Sequence, residues 1–96
     1  MSDEPELAPV TFIGFVLSLA HTAAVRFGDL PDPATGQPGR PDLQAAGQII
    51  EILALLDEKT RGNLTPEERQ FLEQLLQELR ERMGAAPRPT SRIIAP

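Results

Sequence analysis

Ser18 and His21 stand one helical turn apart in the stretch GFVLSLAHTAAVRF, residues 14–27, and Arg26 follows in the same segment. A hydroxyl beside an imidazole is the start of a base-activated nucleophile. General-base work also needs a group that orients the imidazole and a concave site that holds substrate. No acid lies near His21 on its own helix. His21 is therefore read as a packed or half-exposed histidine, with a pH-sensitive contact as the next reading. No catalytic residue is assigned, and the protein is expected not to be an enzyme.

Two aspartates, Asp29 and Asp32, sit with Thr35 in the segment GDLPDPATGQPGRPD, residues 28–42. A calcium loop needs more carboxylates at tight alternating spacing and usually a bidentate glutamate. Turn chemistry explains these residues with less. The glycines form neither G-x-G-x-x-G nor a loop ending in G-K-[ST]. The single lysine, Lys59, falls at the end of a helix, where it complements the dipole. The chain has no cysteine and one histidine, which excludes thiolate sites and leaves little for imidazole ligation. No metal and no cofactor are expected.

These residues must be positioned by helices. Helix 1 is predicted from Thr11 to Phe27. Its apolar residues, Phe12, Ile13, Val16, Leu17, Leu19, Ala20, Ala23, Ala24 and Phe27, fill an arc of roughly 160°. Phe15 and Val25 fall outside that arc. Gly14, Ser18 and Thr22 form a ladder of small residues opposite, which is either a close-packing stripe or a plain solvent face. Helix 2 is predicted from Asp42, its N-cap, to Arg61, with an apolar arc of roughly 200° that is wide enough for two neighbours. Leu55 lies outside it, among Gln48, Glu51 and Glu58, as a surface leucine or a third contact.

The stretch KTRGNLTPEE, residues 59–68, reads as a junction. Gly62 is expected to end helix 2 in the left-handed conformation. Thr65 is an N-cap, Pro66 the first helical residue, and Glu68 completes a capping box. Leu64 is placed to pack as a staple. So short a connection makes helices 2 and 3 an antiparallel hairpin. Helix 3, residues 66–83, carries the stripe Phe71, Leu72, Leu75, Leu76, Leu79 and Met83, and Glu78 is expected to pair with Arg82. The four prolines and three glycines of residues 28–42 forbid regular structure there. The length of that connector suits a crossover along a bundle or a functional loop.

Phenylalanine-rich helix 1 with Ser18-Leu19, then PDPATG, then KTRGNLTPEE before a leucine-striped helix, resembles the bacterial domain of unknown function 1844. The resemblance covers about residues 12–83. The chain departs from the family's tendency at Glu51, where aspartate is expected, and at Met83, where tyrosine is usual. The resemblance implies no activity.

The expected fold is all-α: a small three-helix bundle of residues 10–83, flanked by an acidic tail (1–9) and a proline- and arginine-containing tail (84–96). A net charge of −5 with no tyrosine or tryptophan argues against nucleic acid as a partner. The start of the chain is acidic where a secretory signal is basic, and a cytoplasmic location is the default expectation. Three short helices carry more apolar arc than they easily hide, so homo-oligomerisation is expected to complete the bundle. Phe12, Phe15, Val16, Leu19, Ala23, Phe27 and Leu55 are the expected oligomer or partner interface, with Ile93 and Ile94 as a tail anchor. The expected function is a homo-oligomeric interaction or scaffold module. One alternative is a peripheral membrane protein using helix 1, although that helix has only Arg26 on a face that usually carries several cations. The other is a ligand-binding or enzymatic domain around His21, the loop aspartates and Arg26.

Overall fold

The computed structural model describes residues 9–85, which form three α-helices: α1 (Phe12–Phe27), α2 (Leu43–Lys59) and α3 (Pro66–Ala85). There is no strand among the described residues, and the architecture is the small all-α bundle that the apolar periodicity predicts. All three helix pairs are in contact. Ile93 and Ile94 lie outside the described residues.

Each helix starts where a side-chain oxygen satisfies an amide that the helix leaves unpaired. The Gly14 N–H donates to Thr11 Oγ1 at 2.9 Å, and the Ala45 N–H donates to Asp42 Oδ1 at 3.0 Å. At α3 the capping box is complete. The Glu68 N–H donates to Thr65 Oγ1 at 3.1 Å while the Thr65 N–H donates to Glu68 Oε1 at 2.9 Å. Leu64 packs onto the core rather than stapling along the helix, because the residue it would staple to is the charged Arg69.

The helix ends differ from expectation in two places. α2 stops at Lys59 with Thr60 as its C-cap. Gly62, at φ 87°, belongs to the following turn, closed by the Asn63 N–H donating to the Thr60 carbonyl. The Thr60 hydroxyl donates to the Leu56 carbonyl at 2.6 Å, so threonine ends the helix and leaves the left-handed residue to the turn. α3 continues through Gly84 to Ala85, two residues beyond the stripe that Met83 closes.

The core comprises Val16, Ala23 and Phe27 from α1, Ala46, Ile50 and Leu53 from α2, and Leu72, Leu76 and Leu79 from α3. Leu53 and Leu72 have no exposed surface, and each contributes about 1.5–3 kcal/mol by burial. Val16, Ala23 and Phe27, expected at an interface with another chain, are covered instead within this one. Small residues let the helices approach: a Cβ on Gly47 would stand 3.3 Å from the Met83 methyl.

That contact is tight, yet it is made by the end of a flexible side chain. Gly47→Ala is expected to raise unfolding stability by about 0.5–1 kcal/mol through helix propensity, read by urea denaturation. Leu53→Ala is expected to lower it by about 2–5 kcal/mol in the same assay.

Candidate functional site

The C-terminal end of α1 organises one end of the bundle. Gly28 adopts φ 87° as the cap. Its N–H donates to the Val25 carbonyl, and the Asp29 N–H donates to the Ala24 carbonyl at 2.9 Å. These two bonds form a Schellman closure, which leaves Asp29 with a fixed backbone. Its carboxylate meets Arg82 on α3, 53 residues later, in a bidentate pair: Nε to Oδ2 and Nη2 to Oδ1, both at 2.8 Å. The same guanidinium lies 4.8 Å from the centroid of the Phe27 ring.

The expected Glu78–Arg82 pair is therefore replaced. A planar guanidinium fits a fixed carboxylate bidentately, whereas Glu78 offers a mobile partner on an exposed helix face. Glu78 instead accepts a bond from Gln74 Nε2 at 3.2 Å. The Arg82 hydrogen bonds hold the Asp29 carboxyl below its ordinary value against a smaller opposing effect of burial, and they raise the Arg82 pKa in turn.

The connector leaves and returns at this same end. The Asp42 N–H donates to the Arg26 carbonyl at 2.6 Å, so α1 and α2 are antiparallel and residues 28–42 do not cross the bundle. The loop closes on itself: Thr35 and Gly36 N–H groups donate to the Asp32 carbonyl, and the Asp32 N–H to Gln37 O. Asp32 Oδ1 accepts the Ala34 N–H at 2.8 Å. The two loop aspartates thus serve different partners, one an arginine and the other its own turn. Among the described residues, no three His, Cys, Asp or Glu residues group as metal ligands would.

His21, Thr22, Val25, Arg26, Asp32 and Pro33 line a shallow depression of about 210 Å³. His21 and Arg26 are exposed, and Val25, outside the expected apolar arc, is buried because the connector folds over that side. Ser18 does not address His21. Its hydroxyl donates to the Phe15 carbonyl at 2.6 Å, and the Thr22 hydroxyl donates to the Ser18 carbonyl.

On the helices, the large apolar groups that remain on the surface fall on two flanks. Phe15, Leu17, Ile52 and Leu55 are each more than a third exposed. Taking the Arg26–Asp42 bond as the register, Phe15 lies roughly level with Leu53. Gly47 and Asp57 face α3, which leaves Ile49, Ile52 and Leu56 on the α1 side of α2. Phe15 and Ile52 therefore border one seam, and Leu55, one turn on from Ile52, lies on the adjoining outer face of α2. Leu17 stands about 200° round α1 from Phe15 and belongs to the opposite flank. Phe12 and Leu19 are partly buried against the core.

The family model for Domain of unknown function (DUF1844) matches residues 9–85. The chain belongs to this family. No curated protein and no solved structure matches it. The family match spans the three helices, the connector and both capped junctions, so the features that define this DUF1844 chain are the bundle itself and its turns.

Sequence reasoning did not find the Asp29–Arg82 pair, because partners so far apart leave no local spacing. The usable signal was glycine at position 28, just past the last apolar residue of helix 1, which fixes where the next side chain points. On acidification, the stability from Asp29 is present above the unfolded carboxyl value of about 4 and is lost as pH falls through the lower folded value. Urea midpoints measured from about pH 6 to about pH 2 are expected to fall less steeply below pH 4 in Asp29→Asn than in the parent. Gly28→Ala is expected to cost about 1–2 kcal/mol through its left-handed backbone, and its Cβ would also meet the Gly39 carbonyl at 3.4 Å.

Proposed function

We propose that this DUF1844 chain is a non-enzymatic, cytoplasmic protein–protein interaction module whose first partner is a second copy of itself. The observation that carries the reading is the apolar surface along the α1–α2 seam and the adjoining outer face of α2. Phe15 and Leu55 remain about half exposed, at 46% and 52%, with Ile52 beside them at 38%, although the bundle has a core of its own. A flank of this kind buries its apolar area when two copies meet about a two-fold axis. Leu55 then answers the question its position raised, as the contact outside the arc that α2 uses within its own chain.

The peripheral-membrane reading has less support. No helix among the described residues is long and apolar enough to cross a bilayer, and α1 spends Val16, Ala23 and Phe27 on the core. The enzymatic reading asks for an imidazole with an orienting partner, and the only hydroxyl one turn away from His21 is committed to a backbone carbonyl.

Light scattering on a sizing column over a tenfold concentration range is expected to give the mass of a dimer or larger oligomer. Phe15→Asp combined with Leu55→Asp is expected to give a helical monomer, while Leu17→Asp, on the other flank, leaves the mass unchanged. A parent protein that stays at 10.5 kDa throughout would overturn the proposal. Equal loss of association in both variants would place the contact elsewhere.

A further inference from the structure

Helix α2 carries a second stripe on the side away from the core. Ala45, Gln48, Ile52, Leu55 and Lys59 recur at alternating spacings of three and four residues, the a/d pattern of a helix that packs on another helix. They fall within about 80° of arc, roughly 150° round α2 from Ala46, Ile50 and Leu53. Ile52 and Leu55, at the centre of the stripe, are 38% and 52% exposed, and Gln48 and Lys59 on either side of them are exposed too. No acid stands on the stripe. The acids of this face, Glu51 and Glu58, flank it on the α3 side. None of the ion pairs among the described residues engages Glu51, Glu58 or Lys59.

We propose that two copies of the chain meet antiparallel along this stripe, α2 on α2, with the two-fold axis between Ile52 and Leu55. This geometry rests on the self-association of the chain, and the charges set its direction. In a parallel pair each residue of the stripe meets its own copy, so Lys59 faces Lys59, and a lysine at such a position costs stability. In the antiparallel pair, Ile52 packs on the partner's Leu55, and Lys59 falls opposite the partner's Gln48, whose side-chain carbonyl accepts its hydrogen bond. The partner's Glu51 stands one turn further in. At an interaxial distance of about 9–10 Å, its Cα lies about 8 Å from the Lys59 Cα and about 10 Å from the Glu58 Cα. The lysine also projects into the contact, whereas Glu58 projects sideways from it, so attraction outweighs repulsion. Opposed helix dipoles favour the same direction. Phe15, roughly level with Leu53, flanks the axis on the α1 side and extends the apolar contact beyond α2.

The chain has no cysteine, so Gln44→Cys, at an exposed position beside the stripe, takes one nitroxide per copy of the full-length protein. Pulsed electron–electron resonance on the dimer is expected to give a spin–spin distance of about 28 Å, because the antiparallel register sets residue 44 level with the partner's Asn63. A parallel pair gives less than about 20 Å. Lys59→Glu is expected to weaken the dimer about fivefold in concentration-dependent light scattering, since the axis counts each pair twice, and Glu51→Lys added to it restores the affinity. A dimer with any other spin distance, or one that Glu51→Lys fails to rescue, would overturn this geometry and leave self-association standing. A parent chain that stays monomeric would overturn both and leave the face to a different protein.

Discussion

Gly28 holds a backbone conformation that other residues reach only with strain, and three separate contacts depend on it. The turn it makes closes α1, fixes Asp29 at the end of the closure, and sends the chain into a loop that comes back to the Arg26 carbonyl. Asp29 then holds α3 through Arg82, while the returning loop starts α2 one hydrogen bond away from the end of α1. A helix end that would otherwise leave its last carbonyls to water has become the point from which all three helices are aligned. The bundle needs such a point because its core is small. Nine side chains make up the core cluster, and the largest fully buried ones are Leu53, Leu72 and Val16. With no tyrosine or tryptophan to fill space, polar geometry at the ends does part of the work that packing does in larger domains.

The arrangement also explains how the chain divides its surface. Helix α2 is the shared neighbour, and its wide apolar arc is spent on α1 along one side and α3 along the other. The seam with α1 is left apolar at its rim by Phe15 and Ile52, whereas the seam with α3 is lined by charges of both signs, Asp57, Glu73 and Glu81 with Arg80. The DUF1844 match runs through both seams.

Much of this was legible in the residues. The three helices, the Thr65–Glu68 capping box, Asp42 as an N-cap and the exposure of Leu55 follow from local spacing, and local spacing is what periodicity and capping rules read. What escaped was tertiary. The amphipathic arc of α1 correctly marked Val16, Ala23 and Phe27 as residues to be covered, but an arc does not say whether the cover is the same chain or another. Leu17 belonged to that arc and is half exposed, because the arc was wider than two neighbours cover. Val25 lay outside it and is buried, because a proline-rich loop with no apolar stripe of its own folded across it. Arg82 had a well-placed acid one turn away and took a more distant one, since a fixed bidentate acceptor outcompetes a flexible one. Gly62 was assigned to the helix end when the turn after it needed the left-handed residue more.

The burial of α1 by both later helices has a consequence for the order in which the protein is made. The most apolar element is synthesised first, and its cover arrives from residues far downstream: Leu53 in α2 and Leu72 in α3. At about 5–20 residues per second, the interval between Phe27 and Leu72 is roughly 2–9 seconds. Until α2 follows, the stripe of α1 has no native partner, and until α3 follows its cover is incomplete. For part of that interval the nascent chain carries an unpaired amphipathic helix, and whatever shields it at the ribosome acts on the same side chains that the finished bundle conceals.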